Sequence, residues 1–297
     1  MSVDTRREAE GWRRRGLVAV LAASASALAL ALPATAGATS ASYVAMGDSY
    51  TSAPGVLPPS PTAPADCGQS AVNYPHLVAA ALNLSLTDVS CGGAKTENFK
   101  VAQHPDQPPQ FDALGAGTEV VTIGMGGNDN NLFGTLVQGC TEDDYGRENV
   151  GAPCRKQYAG FVKEVQAEDI GPAEEALREV HVLAPNAKVF VVGYPEITPK
   201  EGYCPPGIPW TTEDLTWFRS IETKGNAEIK REATNNGAYF VDTFKPSIGH
   251  NACEAVGTRW IEPIFGSLTG VALHPNATGQ EQDAYDVELT MLKARVR

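Results

Sequence analysis

Short apolar runs alternate along this chain with longer segments whose apolar side chains recur every three or four residues. Tyr43-Val44-Ala45-Met46, Glu119–Ile123, Lys188–Val192 and Ala238–Val241 are too short for stable helices and rich in β-branched or aromatic residues, so they predict strands. Ser85–Ser90 is a weaker strand candidate. Between them, Val72–Leu82 places Leu77, Val78, Ala81 and Leu82 on one helical face. Tyr158–Leu183, Thr212–Thr234 and a closing segment, Thr278–Lys293, also read as helices. Strands alternating with helices predict an α/β protein, a three-layer α/β/α sandwich around a central parallel sheet. No interdomain linker or internal repeat interrupts the pattern.

Long proline-rich loops separate several elements: Pro54–Cys67, Gln103–Pro109 and Tyr194–Trp210. Loops of this length in a compact domain are usually functional or cross-linked. Their aromatic side chains, with those that follow (Tyr194, Tyr203, Trp210, Trp217, Phe218, Trp260, Phe265), hint at an apolar pocket.

Chemistry-bearing residues fall at the ends of the predicted strands. Gly47-Asp48-Ser49 closes the first run, and Cys91-Gly92-Gly93 follows the weak strand. Gly126-Gly127-Asn128-Asp129 follows the Glu119–Ile123 strand, and His274-Pro275-Asn276 precedes the last helix. In a parallel α/β sheet, ligands bind beyond the carboxyl ends of the strands. Ser49 there is a candidate nucleophile, His274 a candidate base and Asn128 a candidate amide donor to a developing oxyanion. Taken singly, each has an ordinary alternative: Ser49 a helix cap, Gly-Asn-Asp a turn, Gly92-Gly93 a tight strand-to-loop bend. His250 is a rival base. Three or four such motifs in order, each after a strand, point to acyl transfer.

Composition narrows the setting. Arg13-Arg14-Arg15, the uncharged stretch Gly16–Leu32 and the small residues Ala34-Thr35-Ala36 match a secretory signal peptide over residues 1–36, leaving residues 37–297 as one domain. Removing that leader takes away five arginines and three acidic residues, so 18 basic and 32 acidic side chains remain, a net charge of −14. Such a charge argues against nucleic-acid or anionic-membrane binding. No later stretch is long and apolar enough for stable membrane insertion. A secreted monomer is expected. The six cysteines lie in the mature part, and an even number in an exported chain suggests disulfides rather than a metal site. Sequential pairing, Cys67–Cys91, Cys140–Cys154 and Cys204–Cys253, closes local loops and is favoured among the 15 pairings that six cysteines allow.

Together the four blocks resemble the SGNH (GDSL-type) hydrolase superfamily, over about residues 41–290. Within it the chain looks most like the secreted actinobacterial lipases and esterases, which also carry six sequentially paired cysteines. The resemblance implies a flavodoxin-like SGNH fold and a cofactor-free, metal-free serine esterase or lipase acting on a small-molecule or lipid ester. It makes Ser49 the nucleophile and His274 the base. The Ser49 N–H, the Gly93 N–H and the Asn128 side chain then form an oxyanion hole, with Gly92 as competitor to Gly93. One departure stands out. Most of the family has an acid three residues before the histidine, and here that position is Val271. Some secreted members use a Ser–His dyad in which a backbone carbonyl replaces the acid, so the carbonyl of Val271 is expected to orient His274, in preference to a distant acid such as Asp242. Glu254, Glu262 and Glu281 lack the spacing. Alternatives on the same site are a phospholipase, a carbohydrate acetylesterase or a catalytically dead binding protein.

Overall fold

A computed structural model describes residues 40–168 and 170–296. The expected leader, residues 1–36, lies outside the described residues. Five parallel strands form one sheet in the order β2-β1-β3-β4-β5: β1 (Ser42–Met46), β2 (Ser85–Asp88), β3 (Val120–Ile123), β4 (Lys188–Val192) and β5 (Tyr239–Val241). The central register pairs Tyr43 with Val120 and Val120 with Lys188. Among the described residues seven α-helical segments accompany the strands: α1 (Ser49–Ser52), α2 (Tyr74–Leu82), α3 (Leu132–Asp144), α4 (Pro153–Glu168), α5 (Ile170–Leu183), α6 (Thr212–Asn235) and α7 (Ala277–Lys293).

The sheet is covered on both faces, which is why its strands read as continuous apolar runs. Alternate residues divide between two cores. Tyr43, Ala45, Phe190 and Val192 pack with Val78 of α2 and Val287 and Met291 of α7. Val44, Met46, Ile123 and Val191 pack on the other side with Leu177 and Val180 of α5. A third cluster, including Leu136, Trp210, Phe218, Ile261 and Leu273, lies beyond the sheet around Tyr50.

Helix starts follow the capping chemistry of the sequence. Asn73, Thr211 and Asn276 each accept a backbone N–H at the start of α2, α6 and α7. The helix expected over 158–183 is occupied by α4 and α5, which lie on either side of residue 169, outside the described residues. Helix α3 was not anticipated from the sequence. Its glycines, Gly134 and Gly139, lower helix propensity, but a side chain at Gly139 would collide with the Tyr158 ring of α4, 2.4 Å from its Cβ position. The six cysteines form Cys67–Cys91, Cys140–Cys154 and Cys204–Cys253.

Candidate active site

β1 ends at Met46 and is followed by Gly47, whose φ of +150° and crowded surroundings leave no room for a side chain: a Cβ would lie 2.4 Å from Thr51 Oγ1. Gln110 holds this turn from both sides, accepting the Gly47 N–H at 2.8 Å and donating to the Gly47 carbonyl at 3.0 Å. The chain then enters α1, capped by Asp48, whose Oδ1 accepts the Tyr50 N–H at 2.9 Å. Ser49 is thereby fixed as the first residue of α1, beyond the carboxyl end of β1.

Its hydroxyl lies 2.7 Å from His274 Nε2. The other ring nitrogen, Nδ1, lies 2.8 Å from the carbonyl oxygen of Ala272. A carbonyl can only accept, so Nδ1 carries the proton and Nε2 is free to take one from Ser49. The expectation for Val271 is corrected here: its carbonyl accepts the backbone N–H of His274 at 3.2 Å instead of the imidazole. Leu273 explains the shift by one residue. It adopts the left-handed region, φ +59°, and turns the chain so that the Ala272 carbonyl faces the ring. Burial holds the imidazole below its ordinary pKa, and the Ala272 carbonyl opposes that shift.

Among the described residues no carboxylate is hydrogen-bonded to the His274 ring. Asp242 is engaged by Lys245, 3.0 Å from its Nζ. Glu262 is buried and accepts Arg259 at 2.9 Å, the Leu268 N–H at 3.0 Å and the Thr269 hydroxyl at 3.0 Å. It therefore shapes the loop that precedes His274 without touching the ring. Its own backbone brackets the base: Leu273 donates to the Glu262 carbonyl at 2.7 Å and Glu262 donates to the His274 carbonyl at 2.9 Å. The rival base, His250, stacks on Trp260 at 3.8 Å and sits with Nδ1 2.6 Å from the Thr258 carbonyl.

Asn128 follows β3 through Gly126, at φ +99°, and lies at φ −99°, ψ −6°, the sparsely populated bridge region in which active-site residues recur. One of its amide hydrogens donates to the Ala94 carbonyl at 3.1 Å, which leaves the second for another acceptor. Gly93, at φ +73°, sits in the turn closed by the Cys67–Cys91 disulfide. The Gly92 N–H is occupied by the Cys67 carbonyl at 2.9 Å. Among the described residues the Gly93 and Ser49 N–H groups donate to no protein acceptor.

Two tyrosines join these loops, Tyr194, singled out above only as a pocket aromatic, and Tyr50. Tyr194, after β4, donates to Asp48 Oδ2 at 2.6 Å and accepts the Gly127 N–H at 3.0 Å, coupling the loops of Ser49 and Asn128. Burial pushes the Asp48 carboxyl up, while the bonds from Tyr194 and Tyr50 pull it back. Tyr50 packs its ring 4.8 Å from that of His274, and Phe133 meets the imidazole edge-on at 5.6 Å.

From Ser49 a largely apolar cavity of about 140 Å³ runs between α3, α5 and α6. Phe218 and Tyr194 line it. The other suspected pocket aromatics do not: Trp210 and Trp217 belong to the third core cluster, Trp260 stacks on His250, and Tyr203 and Phe265 are exposed.

Comparison with known proteins shows the family and the fold. Residues 45–282 match the model of the GDSL-like Lipase/Acylhydrolase family. Lipase 2 of Streptomyces coelicolor is 41% identical over 280 residues, covering 91% of this chain and 95% of that protein. The crystal structure of phospholipase A1 from Streptomyces albidoflavus superposes with a TM-score of 0.71 at 26% identity, covering 85% of this chain and all of that one. An extracellular lipase from Streptomyces rimosus superposes at 0.70 with 23% identity, over 84% of this chain and all of that one, and shares the fold.

Proposed function

The chain belongs to the GDSL-like lipase/acylhydrolase family of carboxylic ester hydrolases, and from that premise we propose that it is a secreted serine esterase or lipase working through a Ser49–His274 dyad. The observation that carries the reading is the line Ser49 Oγ, His274 Nε2, His274 Nδ1, Ala272 carbonyl, with contacts of 2.7 and 2.8 Å.

His274 takes the Ser49 proton as the oxygen attacks the ester carbonyl. The tetrahedral oxyanion settles among the Ser49 N–H, the Gly93 N–H and the free amide hydrogen of Asn128, donors held in place before the substrate arrives. The imidazolium then protonates the leaving alcohol, and water attacks the acyl-enzyme with His274 again as base. Ala272 fixes the tautomer, as an acid would, and supplies less charge stabilisation. Export is supported by the arginine-led apolar leader and by six cysteines that are all disulfide-bonded.

Labelling with a fluorophosphonate probe tests the assignment. The wild-type protein should be modified at Ser49, and Ser49→Ala should lose both labelling and ester hydrolysis while its melting temperature stays near wild type. Activity within a few-fold of wild type in that variant would refute the nucleophile.

A further inference from the structure

The wall of the cavity is one face of α6. Phe218, Ile221, Gly225 and Ile229 line it at helical spacing, and the wall continues to Glu232. At 1.5 Å per residue that face runs for roughly 21 Å away from the catalytic end. The catalytic end is marked by Phe218, whose ring lies 6.5 Å from Phe133, itself against His274.

Gly225 is the break in this wall. Glycine in the interior of a helix is unfavourable, because it adds backbone freedom to the unfolded chain and buries nothing. No turn or positive φ requires it, and a Cβ built there would meet no atom within 4 Å. The positions on either side along the face carry isoleucine. The missing side chain thus keeps the slot open midway along its length. Polar side chains also border the slot, Gln166 on α4 and Glu222, Asn226, Glu228 and Glu232 on α6; nearest the catalytic end of that α6 set, burial pushes the Glu222 carboxyl up to about 8, which favours its uncharged form at neutral pH. A volume of about 140 Å³ is comparable to that of an apolar cavity that holds benzene, more than an acetyl or butyryl chain fills.

We infer that Gly225 sets acyl-chain length: the slot takes the chain of a medium- to long-chain fatty acyl ester, and the chain passes over Gly225 on its way along α6. This rests on Ser49 being the nucleophile of an ester hydrolase, since Ser49 and Asn128 open into the same slot.

The test compares p-nitrophenyl acetate, butyrate, octanoate and laurate as substrates of wild type, Gly225→Leu and Gly225→Ala. Leucine at 225 should cut kcat/KM on laurate by about tenfold or more, the scale of removing a few methylene contacts. Acetate and butyrate should stay within about twofold. Gly225→Ala should melt at a higher temperature and keep most laurate activity. Ala173→Leu, narrowing the slot from α5, should reproduce the shift toward short chains if Gly225→Leu folds poorly. Equal losses on butyrate and laurate, or no change on either in folded Gly225→Leu and Ala173→Leu, would overturn the inference. A wild-type protein that no fluorophosphonate labels would instead overturn the nucleophile assignment beneath it.

Discussion

The Tyr50 hydroxyl donates to the carbonyl oxygen of Leu273 at 2.6 Å, joining the residue after the nucleophile to the residue before the base. Leu273 holds a left-handed backbone that leucine resists, and it is fully buried. Two contacts stabilise it: Tyr50 on its carbonyl and the Glu262 carbonyl on its N–H. Tyr50→Phe keeps the ring against His274 and deletes only the hydroxyl. It should destabilise the fold by about 1–3 kcal/mol, the cost of an unsatisfied buried carbonyl. It should also lower kcat more than it changes KM, because the imidazole loses its fixed approach to Ser49. Thermal melts and steady-state kinetics together check this, and an unchanged kcat in the folded variant would mean Leu273 holds its turn unaided.

The oriented base predicts which acidic residues do not matter. Asp242→Asn should leave kcat within a few-fold, since its carboxylate faces Lys245. His274→Ala should fall on the order of 10⁶-fold, the scale seen when a serine hydrolase loses its base. Glu262→Gln should act through the loop, lowering stability along with rate. A loss of about 10⁴-fold in Asp242→Asn with the fold intact, the magnitude for removing a triad acid, would establish a triad and end the dyad reading.

How far all this was legible from sequence depends on what each residue answers to. β4 could be read to the residue because its face-to-face burial leaves a bare run of apolar side chains. Ser49, Asn128 and His274 could be singled out as candidates because each follows or precedes a recognisable element, and the fold brings Ser49 to His274 and sets Ser49 and Asn128 on one cavity. The carbonyl that orients His274 was misplaced by one residue, since the choice between Val271 and Ala272 turns on the left-handed φ of Leu273, which no local pattern announces. The bonds that Gln110 and Tyr194 make were invisible for another reason: they reach Gly47 and Asp48 across 63 and 146 residues of sequence, so only the closed fold brings these groups together. Helix α3 did carry a signal, apolar side chains at 132, 133, 136, 137 and 140, masked by two glycines.

The lowered pKa of His274 fixes the sign of one pH effect. Burial favours the neutral ring, the form that can accept the Ser49 proton. The acid limb of kcat/KM should therefore fall at a pH below that of an ordinary imidazole, and activity should persist into mildly acidic solution. A pH–rate profile on a soluble short-chain ester measures it in the free enzyme. An acid limb centred above the ordinary imidazole value would indicate a charged partner at Nδ1 in place of the Ala272 carbonyl.

Glu222 gives a pH effect of opposite character, on stability. Burial raises its carboxyl to about 8 from an ordinary value of 4.5, while the Ile197 N–H at 2.9 Å and the Thr198 hydroxyl at 3.1 Å pull the other way. The nearby Glu196 carboxylate raises it further, although Arg219 pairs with that group at 2.7 Å. Between those two pH values the unfolded chain has released the Glu222 proton and the native chain retains it. The native state then binds more protons, so stability falls as pH rises across that window, and the full penalty is present above pH 8. Partial exposure of the side chain to water damps the size of the effect without altering its sign. Glutamine at 222 preserves the acceptor for Ile197 and cannot ionise. Glu222→Gln should thus melt above wild type at pH 9 and close to it at pH 5. It should also hold its KM for laurate at pH 9, where wild type places a charge in the acyl slot. Melting-temperature differences that are equal at the two pH values would show that the Glu222 carboxyl is ionised in the native protein throughout, and would remove it from the slot's apolar wall.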